Sequence, residues 1–231
     1  MTMVRLLLAA ASAALLLPSP AAAAVLVVRS SGPSAPTYPP GKALPDTHTL
    51  KLKASDTVVL LDSRGTRSLQ GPGSFSASAS AAPAVNASPT AGTSARRVRL
   101  GAVRGTNIRS VWQADLGQSG NVCVVNPADL GLYRANSGAE ATVTLTDAAT
   151  GKKADVHFAA GQANAPWPAG LPAATGTRIG VSGLGAPATL TLKLLSPVPS
   201  GLEGMAQSLI RANCQAQLDV LIDTFSARSD G

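Results

Sequence analysis

Across residues 108–195 the chain is a succession of short apolar or alternating runs, each stopped by glycine, proline or aspartate after about 8–15 residues. Asn121-Val-Cys-Val-Val125 is almost wholly apolar, as in a strand buried on both faces. Residues 130–133 follow, and then Ala141-Thr-Val-Thr-Leu-Thr146 places Val143 and Leu145 on one face. Asp147-Ala-Ala-Thr-Gly151 reads as a turn and residues 154–158 as the returning strand. Residues 178–181 and 188–194 complete six or seven strands, which predicts an antiparallel β-sandwich. Trp167, between Pro166 and Pro168, reads as a loop anchor on that sandwich. Charged residues are only 13% and there are two Glu among 231 residues, whereas helix-rich surfaces need Glu and Lys. The fold class expected is mainly β: a small β-module, then the sandwich, with one long C-terminal amphipathic helix.

The N-terminus sets the compartment. Arg5 is a positive n-region, residues 6–17 (LLLAAASAALLL) are a compact apolar core, and Pro18-Ser-Pro20 breaks it. Residues 21–24 supply the small side chains that a signal peptidase needs, so residues 1–24 read as a cleaved signal peptide and the product as periplasmic or secreted. An uncleaved anchor is the alternative, because apolar character resumes at Val25-Leu-Val-Val28. The Pro-Ser-Pro break and the short apolar core argue against one spanning helix of about 20 residues. No cysteine follows the apolar core, which excludes a lipoprotein anchor.

Residues 25–75 read as a β-module. Thr49-Leu-Lys-Leu-Lys53 alternates, with Leu50 and Leu52 opposite the lysines; residues 58–61 form an apolar strand; Asp62-Ser-Arg-Gly65 turns it back. Gly71-Pro72-Gly73 stops the return strand before Phe75. Leu52-Lys-Ala-Ser-Asp56, Val58-Val-Leu-Leu-Asp62, Arg64-Gly65-Thr66 and Leu69-Gln-Gly-Pro-Gly73 together resemble the FecR-type periplasmic domain. Ser55 departs from that pattern, which has glycine at this position. The resemblance spans about 50 residues and implies a β-rich envelope sensory or binding module, not an enzyme.

Residues 76–97 are read as a linker, since their Ala/Ser/Pro/Thr/Gly composition lacks the large apolar side chains of a core. The sandwich and its helix then occupy residues 98–231. Arg96, Arg97, Arg99, Arg104 and Arg109 offer a possible anion-binding strip. The plainer reading is a charged edge strand that resists edge-to-edge pairing, with Val98, Leu100 and Val103 inward. The net charge is +7. In an exported chain its counterparts are anionic glycans or lipid headgroups, or an envelope protein, rather than nucleic acid. No aromatic residues interleave with these arginines to stack single-stranded bases.

From Ser200 the period becomes helical. Ser200 and Glu203 have capping-box spacing, and Leu202, Met205, Ala206, Leu209, Ile210, Cys214, Leu218, Leu221, Ile222 and Phe225 form one stripe. A single helix over 201–226 is expected, packed on the sandwich, with Gln207, Arg211, Gln215, Gln217 and Asp219 on its polar face. No transmembrane span is expected. Cys123 in a strand and Cys214 on the stripe face one interior, so in an oxidising compartment a disulfide is expected. It would close a 91-residue loop and stabilise by about 4–5 kcal/mol in the loop-entropy account.

Catalytic signatures are thin. His48 and His157 have no recognisable nucleophile or metal-ligand spacing, and neither G-x-S-x-G nor CxxC occurs. Gly180-Val-Ser-Gly-Leu-Gly185 lacks the Lys-Ser/Thr of a phosphate loop and reads as a connection between strands. No catalytic residue, cofactor or metal is expected. The expectation is a non-enzymatic exported envelope binding or sensory accessory protein; the alternatives are a structural component of a surface assembly and an unrecognised hydrolase. Mass spectrometry of the exported protein is expected to find Val25 at the N-terminus; Met1 there would refute cleavage.

Overall fold

The computed structural model describes residues 24–78 and 109–226, and the chain is mainly β. Residues 1–23 of the expected signal peptide (1–24), Arg96, Arg97, Arg99, Arg104 and most of the expected linker lie outside the described residues. The first part contains β1 (Ala24–Ser31), β2 (Ala43–Pro45), β3 (Thr49–Leu52), β4 (Thr57–Asp62), β5 (Gly65–Gln70) and β6 (Gly73–Ser76). They form a four-stranded sheet in the order β2-β1-β4-β5 and a two-stranded sheet of β3 and β6, all antiparallel. Val25 and Val27, alternating along β1, meet Val58 and Leu60 of β4 and Leu50 and Leu52 of β3 in one core. Ser76 closes β6 and Ala77 is fully buried.

The turn before β4 is built around Asp56, which is 1% exposed. Its carboxylate accepts the backbone N–H groups of Ser34 (2.8 Å) and Lys53. Burial alone would raise its pKa. The hydrogen bonds from Ser34 and Lys53, with the Lys53 charge, outweigh that and hold the carboxyl below its ordinary value. Ser55 precedes it at φ 68°, a left-handed conformation that crowds any Cβ.

The second part contains β7 (Gln113–Asp115), β8 (Gly120–Val124), β9 (Gly131–Tyr133), β10 (Ala141–Asp147), β11 (Lys153–Phe158), β12 (Asn164–Pro166), β13 (Arg178–Ser182) and β14 (Ala188–Leu194). A five-stranded sheet, β11-β10-β13-β14-β8, faces a three-stranded sheet, β12-β9-β7. Ala114 and Leu132 from the smaller sheet share a core with Val143, Phe158, Ile179 and Leu190 from the larger. The expected sandwich is therefore present, but it is not purely antiparallel, because β8 runs parallel to β14 and β7 parallel to β9. Both parallel pairs join strands distant in sequence, which hairpin-scale turn signals do not register. Trp167 packs on this core, and its indole N–H donates to the Leu171 carbonyl (3.3 Å).

The single C-terminal helix is corrected to a hairpin of two, α1 (Gly201–Arg211) and α2 (Gln215–Ser226). Asn213 adopts φ 55° and its N–H donates to the Ile210 carbonyl, while the Cys214 N–H donates to Leu209, a left-handed ending that terminates α1. Ser200 occupies the N-cap position without a side-chain capping bond; Glu203 instead accepts from Gln207 one turn on (3.1 Å). The break shifts the helical phase, so Gln217, assigned above to the polar face, is 2% exposed.

This hairpin covers two sheets rather than the sandwich alone. Leu26, Val28 and Leu61 from β1 and β4, together with Cys123 from β8, join Ala206, Leu209, Leu218, Leu221 and Ile222 in a third core. Alternate residues of β1 and β4 thus face the module's own core and the hairpin, which explains their unbroken apolar runs. Cys123 and Cys214 form the expected disulfide, with Cα atoms 5.9 Å apart. Beside it, the Gln217 carboxamide accepts the Cys123 N–H and donates to the carbonyls of Cys123 (2.7 Å) and Val111 (2.6 Å). The side chain pairs with β8 as an adjoining strand residue would. Arg29 of β1 is ion-paired with Asp219 of α2. Thr66 of β5 donates its hydroxyl to the Ile222 carbonyl (3.1 Å). Gly65 is needed there, since a Cβ on it would stand 2.8 Å from the Phe225 carbonyl oxygen.

Two substitutions test this account. Ser55→Gly relieves the left-handed strain and is expected to stabilise by about 1 kcal/mol, raising Tm by about 2–4 °C; no gain in thermal denaturation would refute the strain. Gln217→Leu leaves one buried N–H and two carbonyls without this partner, at about 1–3 kcal/mol each. A loss of about 3 kcal/mol or more in urea unfolding is expected, and a loss below about 1 kcal/mol would show the carboxamide to be dispensable.

Candidate functional site

The segment entering the second part shapes the most apolar concavity described. Ser110 and Gln113 close a turn, with the Ser110 N–H donating to Gln113 Oε1 (2.8 Å) and the Gln113 N–H donating to the Ser110 carbonyl (3.2 Å). This turn presents Val111 and Trp112 toward the hairpin, where the Gln217 bond to Val111 holds it. Trp112 then faces Leu202 and Met205 of α1 and Leu221 and Phe225 of α2 across an open groove of about 430 Å3. Val198, in the approach to α1, is 65% exposed and adds apolar surface to this end of the molecule.

The groove carries no free charge of its own. Arg109 stands at its edge but donates to the buried Asp115 carboxylate (2.8 Å), and its guanidinium lies 5.3 Å from the centre of the Tyr133 ring. Asp115 also accepts from the Gly117 N–H and from Gln118 Nε2. Of the five candidate anion-binding arginines, Arg109 is the one described, and its charge is already met inside the fold. A groove of this kind suits apolar side chains and gives little to an anion.

The two histidines sit in separate parts of the fold. His48, before β3, meets Tyr38 edge-on at 6.2 Å, and the Tyr38 hydroxyl accepts the Lys51 N–H. His157 lies on β11, its Nδ1 3.3 Å from the Thr142 hydroxyl. Among the described residues neither histidine hydrogen-bonds a carboxylate, and no group of three His, Cys, Asp or Glu is placed to hold a metal.

Shifted carboxylates occur at turns and have structural causes. Thr150 donates its hydroxyl to Asp147 (2.6 Å), and this bond, with the Ala149 N–H, holds the Asp147 carboxyl below its ordinary value against the opposing effect of burial. At Asp62, burial raises the pKa, but hydrogen bonds from Arg64 and the charges of Arg64 and Arg67 lower it further. Both turns were legible in sequence from an Asp followed within four residues by Gly, at Asp62–Gly65 and Asp147–Gly151. The residues that sequence reasoning missed are Trp112, Val111 and Gln217. The sequence signal for them was the second apolar face of β1, β4 and β8, which required a cover.

Among the described residues no helix is long and apolar enough to cross a membrane. In comparisons with protein-family models, curated proteins and solved structures, nothing matches this chain.

Proposed function

We propose that the chain is an exported, non-enzymatic binding or sensory accessory protein of the cell envelope, with residues 25–75 acting as a FecR-type module. The observation that carries this reading is the open apolar groove between Trp112 and the two helices, built from a buried, disulfide-pinned framework. Apolar side chains of an envelope protein partner gain from leaving water at about 25 cal/mol per Å2, and no charge in the groove opposes them. The buried disulfide suits an oxidising compartment such as the periplasm. The scattered histidines favour binding over hydrolysis, because a triad needs a histidine beside both a nucleophile and a carboxylate.

The test is cross-linking and capture from envelope extract with the mature, disulfide-bonded protein, beside Met205→Glu and Trp112→Ala. A captured component lost from both variants, with Tm kept within a few degrees, is the expected result. Equal capture by wild type and variants would reject the groove. Turnover of an ester, peptide or glycoside abolished by His48→Ala or His157→Ala would replace the reading with a hydrolase.

A further inference from the structure

A second concavity, of about 220 Å3, lies where the start of β8 meets the turn between α1 and α2. Beside the apolar Val122 and Leu190 and the Asp115 carboxylate, its wall is rich in neutral polar side chains. Gln118 and Ser119 come from the loop before β8, Asn121 from β8 itself, Asn213 from the helical turn and Gln215 from the start of α2. Each makes one bond that fixes it. Gln118 Nε2 donates to Asp115 (3.1 Å), Asn121 Nδ2 to the Ala212 carbonyl (2.8 Å), and Gln215 Nε2 to Asn213 Oδ1 (3.0 Å); Ser119 Oγ accepts the Thr189 N–H (3.0 Å). Each then keeps a polar group beyond that bond: the Oε1 atoms of Gln118 and Gln215, Asn121 Oδ1, the Asn213 NH2 and the Ser119 hydroxyl proton.

We propose that this cleft binds one ring of a neutral saccharide. It rests on the reading of the chain as an exported binding protein and names a ligand class for it. The remaining groups include both acceptors, on Gln118, Asn121 and Gln215, and donors, on Asn213 and Ser119, and a sugar hydroxyl, being both, can satisfy either. An apolar ligand would leave these amides without partners. A charged ligand finds no opposite charge: the Asp115 carboxylate in the wall is paired with Arg109, and residues 109–226 carry seven Lys or Arg against eight Asp or Glu. An extended peptide is disfavoured because Gln217 already occupies the edge of β8 at Cys123. The volume lies below the roughly 300 Å3 at which drug-sized sites begin, which fits one ring rather than a longer stretch of glycan. Asn213 also holds a left-handed position that glycine fills without strain, so its amide can be removed without disturbing the turn.

The experiment is NMR titration of the mature, 15N-labelled chain, read at the side-chain NH2 resonances of Asn and Gln. The probes are tetrasaccharides of glucose, of mannose and of N-acetylglucosamine, with tetra-alanine as the peptide. At least one sugar is expected to shift the Asn213 and Gln215 amide resonances saturably, and the double variant Asn213→Gly/Gln215→Ala to weaken that binding about tenfold or more at unchanged Tm. Sugar binding that persists in Met205→Glu would place it apart from the groove, as proposed. Three results overturn the inference: no sugar shifts these resonances, binding survives the double variant, or tetra-alanine alone produces the shifts. If sugars fail while groove-dependent capture persists, the saccharide inference falls and the wider reading stands.

Discussion

The fold depends on the burial of one helical hairpin against two separate sheets. Leu26, Val28 and Leu61 present the far face of the N-terminal sheet, Cys123 presents the outer face of β8, and the apolar stripe of α1 and α2 fills the space between. Each large aliphatic side chain enclosed there contributes about 1.5–3 kcal/mol relative to exposure. Without the hairpin, both sheets would show continuous apolar surface to water, a surface that soluble proteins rarely leave open. The disulfide pins the turn of the hairpin to β8, where the Gln217 carboxamide pairs with the adjoining backbone. Breaking that polar contact costs more than forming it gains, because it strands buried donors and acceptors.

The candidate site follows from this arrangement. Once α1 and α2 are held on β8, their outer residues and the Ser110–Gln113 turn enclose the apolar groove, while the turn at Asn213 and the loop before β8 enclose the amide-lined cleft. One surface is suited to apolar side chains and the other to hydroxyls, and both are positioned by the same rigid elements. Arg109, which the charge pattern offers as an anion contact, is used instead to neutralise Asp115 and to cover Tyr133.

Much of the architecture was legible before any tertiary contact was known. Alternation at Thr49-Leu-Lys-Leu-Lys53, the Asp147–Gly151 turn and the apolar strands at 25–28 and 58–61 reappear as β3, the β10–β11 connection, β1 and β4. The pairing of Cys123 with Cys214 followed from an even count of two cysteines, read for an oxidising compartment. What misled was the helical stripe. A 3.6-residue period continued through residue 213, and a lone Asn was read as part of the helix although it can end one in the left-handed region as glycine does. Gln217 then looked solvated, since a carboxamide carries no sign of whether its partners will be water or backbone.

The sequence by itself determined the local elements, because strand alternation, turn chemistry and helical period act over a few residues. It also determined that two cysteines would meet, and that a strand such as Asn121-Val-Cys-Val-Val125 needed cover on both faces. Only the tertiary structure decided what supplied that cover, which strands ran parallel and where the hairpin broke. The cover depends on residues more than 90 positions apart, such as Asn121 with Ala212 and Thr66 with Ile222. Local pattern carries no information about such encounters; shape complementarity and the demand that every buried polar group find a partner decide them.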